Sequence, residues 1–543
     1  MPGGFRVRWD GDLAARWRKS GAWLDTTLAI LMRDLAVAEP DRVLLVEQGR
    51  EYSAAALYDE AVLLASALRR RGLQPGDVLS YQIPNWYEGS VINVAAALAG
   101  LIVNPLVPIY REREVRFMME DVGTRMVFVP EQFRGHDYAQ MFEKVNETLD
   151  RPVDIVVLRG SRPSAQSYSE LLASGVADDP LPQVDPDSIY VVMHTSGTTG
   201  RPKCVVHSHN SFMVQGEAHV IELATSDHEV NLVATPISHI AGIVVANLTP
   251  VIGGATVVLM DSWNPAEAVT LVEQYQANSC GGATPFLKGL LEAAKAAGTQ
   301  LPSLTKAGCG GATVPPELIY QAHEWFPNVV AYRVYGCTEV PTATCGIRSR
   351  DDIEYGANTD GLIKHTEVKV VHAVTGAAMP QDQEGEILLR GANMMLGYLR
   401  LEDNEEAFDD EGFFRTGDLG RVVDGKYLLI TGRKKDLIIR NGENLSPKEI
   451  EDALFTHPGI SNVAVVGMPS EKTGEAVCAF VVAKPGYQFD LQEVFRHLVE
   501  YGLAKQKIPE RVVSVESLPV SPQGKILKNE LREMAKALVE GSK

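Results

Sequence analysis

Along roughly its first four hundred residues the chain switches repeatedly between two hydrophobic periods, and few architectures accommodate that. Ser53 stands where a helix N-cap would. The apolar positions behind it, Ala56, Leu57, Val62, Leu63, Leu64 and Leu68, carry a helical face up to Gly72. A strand-like run at 78–83 follows, then an apolar helix at 86–99 and a short strand at 101–103. The order returns downstream, with strands at 229–234, 255–259 and 306–309 and a helix at 266–276. Such alternation predicts an α/β fold of layers with largely parallel sheets. The texture changes after about Gly432. Short helices at 449–454 and 491–498 alternate with strands at 463–466, 476–482 and 511–515, which predicts a compact α+β unit. The expected division is a large N-terminal domain of layered α/β subdomains, 1–432, and a small C-terminal domain, 433–543. The joining run Gly432-Arg433-Lys434-Lys435-Asp436 suits either a surface turn or a hinge.

Charge and cysteine usage narrow the partners. The chain has 51 Lys and Arg against 70 Asp and Glu, a formal charge of −19. So acidic a chain repels polyphosphate backbones unless it carries a basic patch. Arg69-Arg70-Arg71 falls at a predicted helix end, where cations favour the dipole, so nucleic acid is excluded as a partner. Cys204, Cys280, Cys309, Cys337, Cys345 and Cys478 form no CxxC pair, which points to a reducing, cytoplasmic setting. No apolar signal core follows Arg6 and Arg8. The greasy stretches at 91–103 and 240–260 read as buried core: the first is too short to span a bilayer and the second is interrupted by Asn247, Pro250 and Gly253-Gly254. A homodimer is compatible with the sequence.

The densest chemistry lies in Thr195-Ser196-Gly197-Thr198-Thr199-Gly200-Arg201-Pro202-Lys203, directly after a strand pattern at 188–193. Glycines let backbone N–H groups approach a ligand, hydroxyls donate, and a lysine neutralises charge, so the run suits a loop wrapped around phosphates. It is not a Walker A loop, and Pro202 blocks a regular helix there. As composition alone it also suits an ordinary surface loop.

The full string resembles the signature of the adenylate-forming superfamily: acyl- and aryl-CoA synthetases, peptide-synthetase adenylation domains and firefly luciferase. Four further runs resemble that family in order and spacing. They are Tyr335-Gly336-Cys337-Thr338-Glu339, Arg415-Thr416-Gly417-Asp418, the hinge segment Gly432–Asp436 with Asn441-Gly442-Glu443-Asn444, and Pro522-Gln523-Gly524-Lys525. The resemblance spans about 28–531 and implies ATP, Mg²⁺ and coenzyme A as cofactors, with a small carboxylic acid as substrate. Tyr335 would offer a flat face to adenine and Gly336 close approach. Thr338 would donate to the α-phosphate or the acyl carboxylate. Glu339 is a hard oxygen ligand for Mg²⁺ bridging phosphates. Asp418 would accept both ribose hydroxyls, with Arg433 adding a contact. Gly310-Gly311-Ala312 resembles the adenine-side loop. Lys525 would offset the negative charge that builds as a carboxylate attacks the α-phosphate. The resemblance also makes the C-terminal domain mobile, with its hinge at Lys435, and places Gly442 along the path of the CoA arm.

The acid itself is the least constrained part. Pro236-Ile237-Ser238-His239-Ile240-Ala241-Gly242 resembles the segment gating the acyl site, with His239 at its aromatic or His position. Gly281-Gly282-Ala283-Thr284-Pro285-Phe286 resembles the pocket floor. Neither run contains Asp or Glu to hold a substrate amine, which favours an apolar acid: medium-chain, alicyclic or a steroid side chain. Three rivals stay open: delivery to a separate carrier protein, a luciferase-like oxygenase, and a non-catalytic nucleotide-binding protein.

Overall fold

The computed structural model describes residues 5, 7–195, 201–223, 229–441, 443–487, 489, 491–520 and 526–540. Two sheets dominate the N-terminal body. One runs Val330–Val334, Lys306–Gly310, Ser279–Cys280, Val230–Val233, Thr256–Leu259, Val43–Glu47 and Arg50–Ser53, parallel throughout except for the last hairpin pair. The other runs Gly397–Tyr398, Lys203–Ser208, Ile189–Thr195, Ile102–Pro105, Val78–Tyr81, Thr124–Pro130, Asp154–Leu158 and Gln166–Ser167. Its first three strands are antiparallel to one another and the rest are parallel.

Helices fill the space between the two sheets. Helix Ala54–Arg70 starts where expected: Ser53 Oγ accepts from the Ala56 N–H, satisfying one of the free donors of the first turn. Helix Tyr87–Ala99 is apolar on nearly every face and is buried along its length, apart from Glu88. Its Val91, Ile92, Val94 and Ala95 share one core with Leu45, Val257 and Leu259 of the first sheet and Leu79, Tyr81 and Val103 of the second. The second greasy stretch resolves into helix Ile240–Ile243, a π-helical turn Val244–Leu248, helix Thr249–Gly253 and strand Thr256–Leu259. No helix among the described residues is long and apolar enough to cross a membrane.

The change in texture comes earlier than the sequence suggests. Thr366–Val371, Gly385–Gly391, Phe414–Val423 and Tyr427–Arg433 already form a four-stranded antiparallel sheet. Turns and glycines break its apolar alternation, so it blends into the α/β pattern before it. Beyond it, Ile460–Ser470 and Gly474–Ala483 make a long antiparallel pair, flanked by Ile438–Arg440, Glu443–Leu445 and Arg511–Ser514. Both central strands run well past the lengths expected. This sheet has its own core on each face, built on Ile450, Leu454, Val465 and Leu498 on one side and Val466, Phe480, Leu531 and Ala535 on the other.

Candidate active site

Parallel strands deliver the first half of the site. Lys306–Gly310 and Val330–Val334 end side by side, with Gly310 opposite Val334. The runs Gly310-Gly311-Ala312 and Tyr335–Glu339 therefore leave the sheet together at its carboxyl edge, where open α/β sheets bind ligands. The glycines are dictated by space. A Cβ on Gly310 would sit 2.6 Å from the Val334 carbonyl oxygen, and one on Gly336 would collide with the Pro341 carbonyl. Gly311 has φ +78°, in the left-handed region.

From that edge Tyr335 reaches the antiparallel sheet: its hydroxyl donates to Asp418 Oδ2 at 2.5 Å. Arg433 Nε lies 3.0 Å from the other oxygen, Oδ1, and Asp418 is 6% exposed. This changes the expectation for Asp418. Both its oxygens are engaged by protein donors, so ribose hydroxyls would share or displace these partners. The same geometry ties Tyr335 down by its hydroxyl and leaves the rest of its ring as the usable surface. Burial, with the Asp418 charge behind it, pushes the Tyr335 hydroxyl well above its ordinary range, so it stays a donor. The Asp418 carboxylate raises Arg433 further.

The strands on either side of the glycine-rich run pair with each other. Strand Ile189–Thr195 continues to Thr195, which pairs with Lys203 at the start of Lys203–Ser208. Ser196, Gly197, Thr198, Thr199 and Gly200 lie outside the described residues. Lys203 Nζ lies 4.7 Å from the ring centroid of Tyr398, and the Tyr398 hydroxyl donates to Glu339 Oε1 at 2.8 Å. One tyrosine thus links Lys203 to the glutamate of the Tyr335–Glu339 run. Thr338 is held from behind by His207, whose Nε2 lies 2.8 Å from the Thr338 carbonyl oxygen. Beneath these strands, Asp121 pairs with His194 at 3.0 Å and with Arg400. Tyr398 and His207 were not legible in the sequence. Tyr398 sits in a two-residue strand, Gly397–Tyr398, and His207 in a run that reads simply as strand.

Mg²⁺, implied by the resemblance, asks for hard oxygen donors. Glu339 offers a carboxylate and Thr338 a hydroxyl, both half-buried. Among the described residues, the cluster of side chains close enough to share an ion is Asp121, His194 and Cys204, which does not include Glu339 and whose Asp121 is already paired with Arg400. A lone carboxylate fits an ion held mainly by substrate phosphates and water, not a protein cage.

The acyl-side segments leave the same sheet. Asn85 brackets the turn after Val230–Val233: its Nδ2 donates to the Thr235 carbonyl at 3.0 Å and its Oδ1 accepts from Ile237 N at 2.7 Å. Tyr81 adds a bond to the Ile237 carbonyl at 3.1 Å. His239 caps the helix beyond, its Nδ1 accepting from Ala241 N at 3.3 Å. A side chain at Gly242 would strike the Pro236 carbonyl, and one at Gly282 would strike the Phe286 ring. The cysteines take no part: burial pushes Cys280 and Cys309 up to about 12, and Cys204 and Cys337 well up, so none is a ready thiolate.

The joint is built differently. Lys434 Nζ pairs with Glu386 at 3.2 Å, and Asp436 with Arg532 of the C-terminal helix Lys528–Glu540 at 2.6 Å. Lys435 stands in the 3₁₀ turn between them, its ammonium lowered by burial and by Arg433. Gly442 and Lys525 lie outside the described residues, and Val520 and Ile526 pair with each other across 521–525.

The family model for AMP-binding enzymes matches residues 32–399, and that for the AMP-binding enzyme C-terminal domain matches 449–525. The medium-chain fatty-acid–CoA ligase of Escherichia coli is 33% identical over 526 residues, covering 96% of this chain and 92% of that protein. The 3-[(3aS,4S,7aS)-7a-methyl-1,5-dioxo-octahydro-1H-inden-4-yl]propanoyl:CoA ligase of Rhodococcus jostii is 32% identical, covering 88% and 93%. Among solved structures, ATP-bound MatB from Rhodopseudomonas palustris superposes with a TM-score of 0.84 at 26% identity, covering 94% of this chain and all of that one.

Proposed function

The chain belongs to the AMP-binding enzymes of the adenylate-forming superfamily, and on that premise we propose that it is an ATP-dependent carboxylate:CoA ligase. In the first half-reaction a carboxylate oxygen attacks the α-phosphate of ATP, the α–β phosphoanhydride bond breaks and pyrophosphate leaves. In the second, the CoA sulfur attacks the acyl carbonyl, the bond to AMP breaks and AMP leaves as the thioester forms. The observation that carries this reading is the convergence of Lys203, Tyr398 and Glu339 beside the Tyr335–Asp418 pair. A phosphate-binding cation, a hard carboxylate and an adenosine surface meet where three sheets come together.

The residues divide the work. The run 195–203 wraps the phosphates and Lys203 screens their charge. Gly310, Gly311 and Ala312 with the Tyr335 ring and Gly336 shape the adenine side, while Asp418 and Arg433 address the ribose. Thr338 orients the reacting oxygens. Mg²⁺ held at Glu339 would neutralise phosphate charge. Lys525, brought over the α-phosphate, stabilises the charge that develops in transfer. For the thioester step Lys525 has to leave and the thiol has to enter past Gly442. We therefore assign 1–432 and 433–543 as the two bodies, turning at Lys435. His239 and the 281–286 segment border the acid. An apolar medium-chain, alicyclic or steroid side-chain acid is supported by the absence of Asp and Glu from 235–242 and 281–286, and by the names of the two CoA ligases above. The scattered free cysteines support a cytoplasmic setting.

A panel of short and long fatty acids, cyclohexanecarboxylate, benzoate and steroid acids with ATP, Mg²⁺ and CoA tests the reading. AMP and acyl-CoA are followed by mass spectrometry. Acyl-CoA with a clear preference among the apolar acids is the expected result. Acyl-adenylate without acyl-CoA would instead assign a carrier protein as acceptor, and no product from any acid would overturn the ligase.

A further inference from the structure

Three anchors converge on Thr338 and Glu339, and all three come from one piece of backbone ladder. Strand Lys203–Ser208 pairs with Gly397–Tyr398 through Val205 and Val206, and the pairing is extended by Leu396 N to the Val206 carbonyl and Leu399 N to the Cys204 carbonyl. From one side of this ladder His207 grips the Thr338 carbonyl. From the other, Met395 N donates to the Glu339 carbonyl at 2.8 Å and the Tyr398 hydroxyl takes the Glu339 side chain.

The anchors are themselves fixed. A carbonyl oxygen only accepts, so His207 Nε2 carries the hydrogen. Nδ1, 3.3 Å from Ser211 Oγ, is then the acceptor, and tautomer and ring plane are both set. His207 is fully buried, and burial lowers it to about 4, so it stays a neutral donor. Asn404 clamps the Tyr398 backbone at both ends, accepting from its N–H at 2.7 Å and donating to its carbonyl at 2.9 Å. Gly397, at φ +154°, brings that clamp close: a Cβ there would lie 2.7 Å from Asn404 Oδ1. The loop bearing Thr338 and Glu339 is tightly folded on itself, with Gly336 against the Pro341 carbonyl.

We propose that His207 and Tyr398 are positioning residues that lock Thr338 and Glu339 to strand Lys203–Ser208, so that Lys203, Thr338 and Glu339 meet Mg²⁺ and the phosphates as one preset surface. This rests on the adenylation reading above. Tyr398 has a second task in the arrangement, because its ring faces the Lys203 ammonium while its hydroxyl orients Glu339.

Tyr398→Phe keeps the ring and its contact with Lys203 but frees Glu339. His207→Gln keeps a donor near the position of Nε2, and His207→Asn withdraws it. Mg²⁺-dependent ATP binding by calorimetry and acid-dependent ATP–pyrophosphate exchange are measured for all three beside the wild type, with melting temperatures. A charge-assisted hydrogen bond corresponds to about tenfold. Tyr398→Phe is expected to raise the Mg²⁺ concentration needed for ATP binding about tenfold, with the melting temperature and the acid KM unchanged. His207→Asn should lower the exchange rate about tenfold and His207→Gln should restore most of it. Wild-type Mg²⁺ dependence in Tyr398→Phe, or losses in all three variants that track melting temperature, would overturn the clamp. A wild type that binds Mg·ATP without exchange sinks the adenylation reading, while the binding comparison still decides the clamp. A wild type that binds no Mg·ATP overturns both.

Discussion

The 335–339 loop and the 432–436 joint both carry residues assigned to the nucleotide, yet they are held by opposite means. The loop is tied from behind by buried, mostly neutral hydrogen bonds: Tyr335 N to Thr344 Oγ1 at 2.8 Å, His207 to the Thr338 carbonyl, and Met395 and Tyr398 to Glu339. The joint is tied by ion pairs whose cations reach solvent, Arg433 being 48% and Lys434 46% exposed, while their partners Asp418 and Glu386 are buried. Buried hydrogen bonds leave an orphaned group if broken, so they hold one geometry. Cations that reach solvent can trade part of such a contact for water and are screened by salt. The difference fits a surface that must not move beside a body that must.

The largest effect expected breaks the rigid side. Glu339→Gln keeps the Tyr398 contact but removes the charge, and acid-dependent pyrophosphate exchange should fall by about a hundredfold or more, read by isotope exchange with circular dichroism unchanged. The next breaks the moving side. Lys435→Pro stiffens the joint, so exchange should persist while acyl-CoA formation from preformed acyl-adenylate, followed in single turnover, slows by about tenfold or more. Equal losses in both half-reactions would mean that the joint does not turn.

A third test separates the two regions by pH. Burial lowers His207 to about 4 and His209 to about 3, below the value of about 6.5 they take in the unfolded chain. Between those values the unfolded state binds more protons than the folded one. Stability is therefore full above about pH 6.5 and lost as pH falls, by about 1.4 kcal/mol per pH unit for each histidine. Urea unfolding of the wild type and His207→Gln across that window should show a shallower slope in the variant. The joint should answer to salt instead. Glu386→Gln frees Lys434 and takes away the more distant partner of Arg415, and should shift the ratio of the two half-reaction rates only about two- to threefold, with the shift vanishing at high ionic strength.

What could be read in advance followed local chemistry. Ser53 capped its helix and the apolar run at 86–99 was buried, while Gly336, expected to let adenine approach, faces the Pro341 carbonyl. The five motif runs likewise carried their side chains in a few adjacent residues. Tyr398 and His207 gave no such signal, because their roles exist only once two strands distant in sequence pair. The antiparallel sheet at 366–433 was missed because its short strands and turns weaken the period-2 pattern that would have announced it. Asp418 was expected as a ribose acceptor from its motif, but its place in strand Phe414–Val423 and its engagement by Tyr335 and Arg433 depend on three segments meeting.

Acid-dependent ATP–pyrophosphate exchange by the wild type beside Lys525→Ala tests the central claim most directly. The account predicts label entering ATP only when an acceptable acid and Mg²⁺ are present, and nearly no exchange in the variant although ATP still binds. Release of ADP and phosphate in place of AMP and pyrophosphate, or undiminished exchange without Lys525, would contradict it.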